Sequence, residues 1–430
     1  EAREDLESGE WIFGRGVADM KGGGVIQMAF MEWYSKQENF KGNLVLLGLC
    51  DEENLSAGAR TAPLLLKELK EKYGLNYVLS LNSEPIDDKG GVERPQIDVG
   101  SIGKIMPLIH ARGTLAHTGM VYEGLSPVKL MAEVVHRLDL NPAFIDEIDG
   151  ITSPAASFLY LKDEKQIYDV SLPLSASGFM SIMFVRRSPD EMMRIVKEEC
   201  VKAFNAVIEG AQKSYDVYLT AGGSKTQKLP WKTNVKLYAE LHAEALRDSG
   251  ETFTDAMKEL SAALKKKVQK GEMNLVEASL AVVKQTMFYI KDQSPCIVIA
   301  LVPPYYPVVA NSMLGEQAGR VNEVCDKVIA YAKEKYNRNY VKSYIGGMSD
   351  LSYFMQNPSE AGRAYVEENM LLLNDLYDFP FNAIDAISMP VLNVGPLGKN
   401  IHKYTERVLK KDLFERTPAL MKFTIESMLH

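Results

Sequence analysis

The most constraining feature of this sequence is the run at residues 43–50, Asn-Leu-Val-Leu-Leu-Gly-Leu-Cys, followed at once by Asp51, Glu52 and Glu53. A short, unalternating apolar stretch of this kind predicts a strand buried on both faces. On one side of it, residues 22–37 carry Val25, Ile26, Met28, Ala29, Met31 and Trp33 too densely for a strand and read as a buried helix, opened by Gly22, Gly23 and Gly24. On the other, residues 57–73 read as a helix stopped by Gly74, and residues 77–81 as a second strand. Helices alternating with fully apolar strands imply an α/β fold with a mostly parallel sheet covered by helices. In such sheets ligands gather past the carboxyl ends of the strands, where these acids stand.

From about residue 98 the character changes to longer, alternating strands. Ser126-Pro127 and Ser188-Pro189-Asp190-Glu191 open two helices there, the second as a capping box with proline at the first helical position. Residues 231–292 are helical in pattern and rich in Lys, Glu and Ala, without visible chemistry. The first rhythm then returns, with strands at 296–302, 340–345 and 390–394 and helices at 319–336 and after Tyr404. We therefore expect a split catalytic domain, 1–98 and 310–430, interrupted over 99–309 by an α+β lid or dimerisation domain that carries a helical insertion at about 231–292.

The formal net charge of -8 argues against nucleic acid or an anionic membrane as partner, since both require clustered positive charge. The one basic run, Lys265, Lys266 and Lys267, reads as a solvated helix face. No apolar run is long enough to cross a bilayer. The cysteines, Cys50, Cys200, Cys296 and Cys325, are scattered singly, which suits a reducing, cytoplasmic setting. Cys50 and Cys296 lie in apolar runs and are expected to behave as small hydrophobes. The chain opens without a Met or a signal-like segment, and the N-terminal portion of the first domain is expected to be missing.

Four acidic positions and a histidine carry the chemistry: Asp19, Glu52 with Glu53, Glu84, and His402. Oxygen and imidazole donors without thiolates suit a catalytic Zn2+, Mn2+ or Co2+ site, not a closed structural zinc site. The two adjacent acids leave a strand end on different sides, so one can bind metal while the other takes a proton from water. Both jobs are needed, because a metal acidifies water but a nearby base must carry its proton to a leaving amine. A nucleotide loop is disfavoured: after Gly14-Arg15-Gly16 the third glycine position is Asp19, and Lys21 is followed by Gly22.

The segments Gly14-Arg15-Gly16-Val17-Ala18-Asp19-Met20-Lys21-Gly22-Gly23, Asp51-Glu52-Glu53, Ser83-Glu84-Pro85, Gly346-Gly347-Met348-Ser349-Asp350 and His402 with Glu406 four residues on resemble, in order and spacing, the M20 metallopeptidase and amidohydrolase family. The helical insertion and Val302-Pro303-Pro304-Tyr305-Tyr306-Pro307 look most like its arginine-utilization (Roc-type) subgroup. The resemblance implies two divalent metal ions, most simply zinc, with Asp19 bridging them, Glu53 and His402 completing one site and Glu84 serving the other. It implies Glu52 as general base and acid, and a cis peptide bond between Asp19 and Met20. It further implies that His117 reaches a partner subunit's site to steady an oxyanion, that Arg186 binds a substrate carboxylate, and that Gly346 and Gly347 line the substrate. The expected protein is a homodimer, joined through the lid, that hydrolyses an amide or peptide bond in a small amino-acid-derived substrate.

The chain departs from the family pattern in three places. The family's His-x-Asp triplet belongs upstream of Asp19, and no histidine precedes His110 here. The family usually shows asparagine at the position of Ser126 and three residues before Pro173, where Val170 stands. The alternative reading is accordingly a non-catalytic scaffold or binding protein that keeps a degenerate form of this fold.

Overall fold

The computed structural model describes residues 1–87, 95–148, 150–165, 167–224, 229–345, 349–356 and 359–429. The chain builds one unit from Glu1–Gly103, Tyr306–Pro358 and Pro380–His430, and a second from Lys104–Tyr305 and Ser359–Phe379. Residues 359–379, which sequence patterning assigned to the returning catalytic segment, belong to the second unit. Leu371 and Leu372 are buried in that unit's core, and the Leu371 N–H donates to Leu301 O at 2.9 Å.

In the first unit one sheet runs Val309–Ala310, Gln96–Ser101, Val391–Asn393, Ser80–Asn82, and Val341–Ile345 also pairs with Gln96–Ser101. A second sheet runs Trp11–Phe13, Arg407–Leu409, Leu397–Lys399, Ile86–Asp87. The architecture is α/β, but the pairing is mixed instead of mostly parallel: Val391–Asn393 lies parallel to Ser80–Asn82 and antiparallel to Gln96–Ser101. Pairing direction depends on which distant segments meet, and apolar patterning carries no record of that.

Residues 43–50 depart from expectation. Leu47 and Leu49 pack against the core formed by Ala62, Leu66, Val309, Met355 and Val391. Among the described residues, however, 43–50 join no sheet, and Val45, Leu46 and Cys50 are exposed. An apolar run needs a paired neighbour before it counts as a strand, and sequence shows only the run. Cys50 is therefore a surface thiol, whereas Cys296 is buried as expected.

The second unit is a five-stranded sheet in the order Val235–Leu237, Cys296–Tyr306, Gly103–Arg112, Ser175–Phe184, Ser157–Asp163. Its helices begin where the caps predicted. Ser126 Oγ accepts the Lys129 N–H ahead of Pro127–Leu138, and Glu191 reaches back to the Ser188 N–H ahead of Pro189–Thr220. The insertion forms helices Tyr238–Gln269 and Leu275–Phe288. Their Leu241, Phe253, Val283 and Met287 pack on Met106, Leu108, Val298, Ala300 and Val302, the alternate residues of two neighbouring strands. Its role is thus to cover a sheet face. Among the described residues, no helix is long and apolar enough to cross a membrane.

One buried histidine in this sheet makes stability depend on pH. His110 Nδ1 lies 2.9 Å from Ser177 Oγ, which donates to Glu164 at 3.2 Å. Burial pulls the imidazole down to about 4, with Glu164 opposing and Lys284 and Arg112 reinforcing the shift. In the unfolded chain the same ring titrates near about 6.5, so between these values the unfolded state takes a proton that the folded state refuses. Stability is therefore full above the unfolded value and falls with pH across this window, by about 3 kcal/mol if the whole shift is expressed. Urea midpoints followed down through the window should show the loss in the wild type and much less of it in His110→Asn, which keeps a donor for Ser177. Parallel curves would remove His110 as the cause.

Candidate metal centre

Asp19 sits in the wide turn Val17–Gly22 that leads into helix Gly23–Ser35. The turn begins after Gly16, whose φ of 74° is left-handed, and the Asp19–Met20 peptide bond is cis. Gly23 lets this helix start approach the strand end closely, since a Cβ there would lie 2.2 Å from Ser83 O. Glu52 and Glu53 occupy the bend between the 43–50 run and helix Ala57–Tyr73. His402 lies between strands Leu397–Lys399 and Arg407–Leu409, with a φ of 62°.

Three of these groups converge. His402 Nε2 is 2.9 Å from Asp19 Oδ2 and 2.7 Å from Glu53 Oε1. One ligand atom from each of Asp19, Glu53 and His402 lies within 4.8 Å of the others. Glu84 is outside that group. It is partly buried beside Asn82, whose Nδ2 donates to Glu84 Oε1 at 3.0 Å, and Ser349 Oγ stands 3.4 Å from the same oxygen.

The electrostatics follow from crowding acids in a partly buried place. Burial raises Glu84 well above the usual carboxylate range, and the charges of Glu52 and Asp19 raise it further. Glu52 is pushed up to about 7, by burial first and then by Asp350, Glu53 and Asp19. Asp19 is raised by burial and by Glu53, against the pull of His402. Burial lowers His402, but Glu53 and Asp19 outweigh it and hold the imidazolium above its ordinary value. Acids that raise one another mark a deficit of positive charge, which a divalent cation among Asp19, Glu53 and His402 would fill. The donor set, two carboxylates and an imidazole, fits zinc, manganese or cobalt.

Sequence reasoning assigned no role to Asp350, although it closes the Gly346 to Asp350 motif. It is buried and pushed up to about 6, by burial first, with the Ser56 hydroxyl opposing and Asp51 adding. It is one of the charges acting on Glu52. Gly346 and Gly347 lie outside the described residues.

His117 and Arg186 belong to the second unit. His117 is exposed and caps the turn Thr118–Glu123, its Nδ1 accepting the Gly119 N–H at 3.0 Å. With Nδ1 so engaged, the neutral ring carries its proton on Nε2. Arg186 has a largely exposed guanidinium whose Nε donates to Glu147 O at 3.3 Å, and the more enclosed Arg187 donates to Ala143 O at 2.8 Å. Of the two, Arg186 is the better placed to meet a solute.

A sequence model described as peptidase family M20/M25/M40 matches residues 2–370. The Bacillus subtilis (strain 168) protein YqjN is 31% identical over 429 residues, covering 99% of this chain and 76% of its own length. Protein RocB of the same organism is 25% identical over 441 residues, covering 100% of this chain and 75% of its own. A solved aminopeptidase PepT from Bacillus cereus ATCC 10987 superposes with a TM-score of 0.42 at 13% identity, over 87% of this chain and 63% of that one. The chain thus spans about three quarters of the two curated relatives and less than two thirds of the solved aminopeptidase.

Proposed function

The chain belongs to peptidase family M20/M25/M40, and on that premise we propose that it hydrolyses an amide or peptide bond in a small amino-acid derivative, using a divalent cation. The observation that carries this reading is the convergence of Asp19, Glu53 and His402 beside a carboxylate that is not one of the three, Glu52. Asp19, Glu53 and His402 would hold one ion, and Asp19 with Glu84 would contribute to a second. When bound, the ion supplies Lewis acidity toward the scissile carbonyl and water.

The protein's own groups do the rest. Glu52 accepts a proton as water adds to the carbonyl carbon, then returns it to the nitrogen as the C–N bond breaks, leaving an acid and an amine. Arg186 offers its forked donors to a substrate carboxylate. His117, with Nε2–H exposed, would reach a partner subunit's site and donate there to the developing oxyanion. Arginine catabolism is the setting suggested by the Roc-type resemblance of the insertion and of Val302 to Pro307. The singly scattered free cysteines suit a reducing, cytoplasmic site of action.

We propose a homodimer formed through the second unit. Leu115, Met120, Ile167, Tyr168, Val170 and Leu174 are exposed around the His117–Ser171 bridge, an apolar concentration of the kind that marks a protein interface.

The test is metal analysis of the purified chain, chelation, and add-back of Zn2+, Mn2+ or Co2+ with acylated amino acids and dipeptides as substrates. Hydrolysis should disappear on chelation and return with metal. No metal uptake and no chelator-sensitive turnover would favour the scaffold reading.

A further inference from the structure

Glu406 stands out in the sequence only as the acid four residues beyond His402, yet its side chain is completely buried. We propose that Glu406 is a positioning residue of the metal centre, holding the backbone of Asp19 against the turn that carries His402. The proposal rests on reading Asp19 and His402 as ligands, and it adds the group that sets their spacing.

Glu406 Oε1 accepts two consecutive backbone N–H groups, Ala18 and Asp19, each at 3.1 Å. Its other oxygen pairs with the Arg15 guanidinium. Its main chain extends the clamp: Glu406 O accepts the Gly14 N–H at 3.0 Å, and the Glu406 N–H donates to Lys403 O at 3.0 Å, closing the turn just past His402. The ladder continues from there, with Phe13 opposite Arg407. One residue therefore binds both ends of the Gly14 to Asp19 loop and the turn beyond His402.

A surface ion pair does not account for this arrangement. Arg15 is 56% exposed, and exposed pairs contribute little. A buried carboxylate is costly unless its oxygens are satisfied, and here two of the satisfying donors are the main chain of Asp19 and of its neighbour. If Asp19 rotated away, buried N–H groups and a buried charge would lose their partners together. The geometry of the acceptor, more than its charge, is what the loop requires.

Two variants separate geometry from charge. Glu406→Gln keeps an acceptor oxygen at the same reach but loses the charge, whereas Glu406→Asp keeps the charge but falls about 1.5 Å short. With the metal-free 430-residue chain titrated with Zn2+ against a competing chelator, Glu406→Asp should bind about 10–100-fold more weakly and Glu406→Gln within about threefold of wild type. Thermal midpoints of the metal-free variants confirm that both are folded. The proposal fails if Gln weakens binding as much as Asp, or if both bind like wild type. His402→Ala is the separate check on the ligand assignment. If it binds Zn2+ normally, the metal-centre reading itself falls, whereas its failure to bind alongside a normal Glu406→Asp rejects only the role of Glu406.

Discussion

Replacing Glu52 with Gln should lower kcat by about 10²–10⁴-fold while leaving Zn2+ affinity unchanged. The substitution is nearly isosteric, so packing is preserved, but an amide cannot take a proton from water. Glu52 lies outside the convergent trio of Asp19, Glu53 and His402, so its loss should spare metal binding. Its surroundings raise it to about 7, close to the range in which a group both accepts and releases a proton readily. The measurement pairs steady-state turnover with chelator competition on one preparation. Undiminished turnover would remove Glu52 from the proton path, and lost Zn2+ would make it a ligand instead.

The largest expected effect on stability comes from Asp146→Ala in the second unit, a loss of about 3–5 kcal/mol. Asp146 is 2% exposed. Its Oδ2 accepts three successive backbone N–H groups, Val185 at 3.0 Å, Arg186 at 2.6 Å and Arg187 at 2.8 Å. Burial alone would raise its pKa, but these bonds and one from Glu147 outweigh burial and lower it. Its contribution is thus present above the ordinary carboxylate range and is lost as pH falls through the depressed value. In a unit of this size the thermal midpoint should drop by about 6–20 °C. The same bonds set the backbone of Arg186, so carboxylate-bearing substrates should also show a raised KM in any variant that still folds. A midpoint within a degree or two of wild type would show that the N–H groups find other partners.

The readable parts of the sequence were those with local causes. Ser126 with Pro127, and Ser188 with Glu191, announced two helix starts because capping uses neighbouring residues. Asp19, Glu53 and His402 were picked out from strand-end position and family spacing, and the structure brings those three together. The 43–50 run misled because apolar content marks burial, while a ladder requires a partner strand. Residues 359–379 misled for a related reason: what places them in the second unit is Leu371 and Leu372 reaching a distant core.

Sequence alone determined the kinds of donor, their order, the α/β alternation and the family, since residue chemistry and spacing are properties of the chain itself. Tertiary structure decided the rest. It set which acids lie close enough to raise one another, left Glu84 outside the trio, and turned the insertion into a sheet cover. It also buried Glu406 against the backbone of Asp19. Each of these depends on distances between residues tens to hundreds of positions apart, and those distances exist only once the chain has folded.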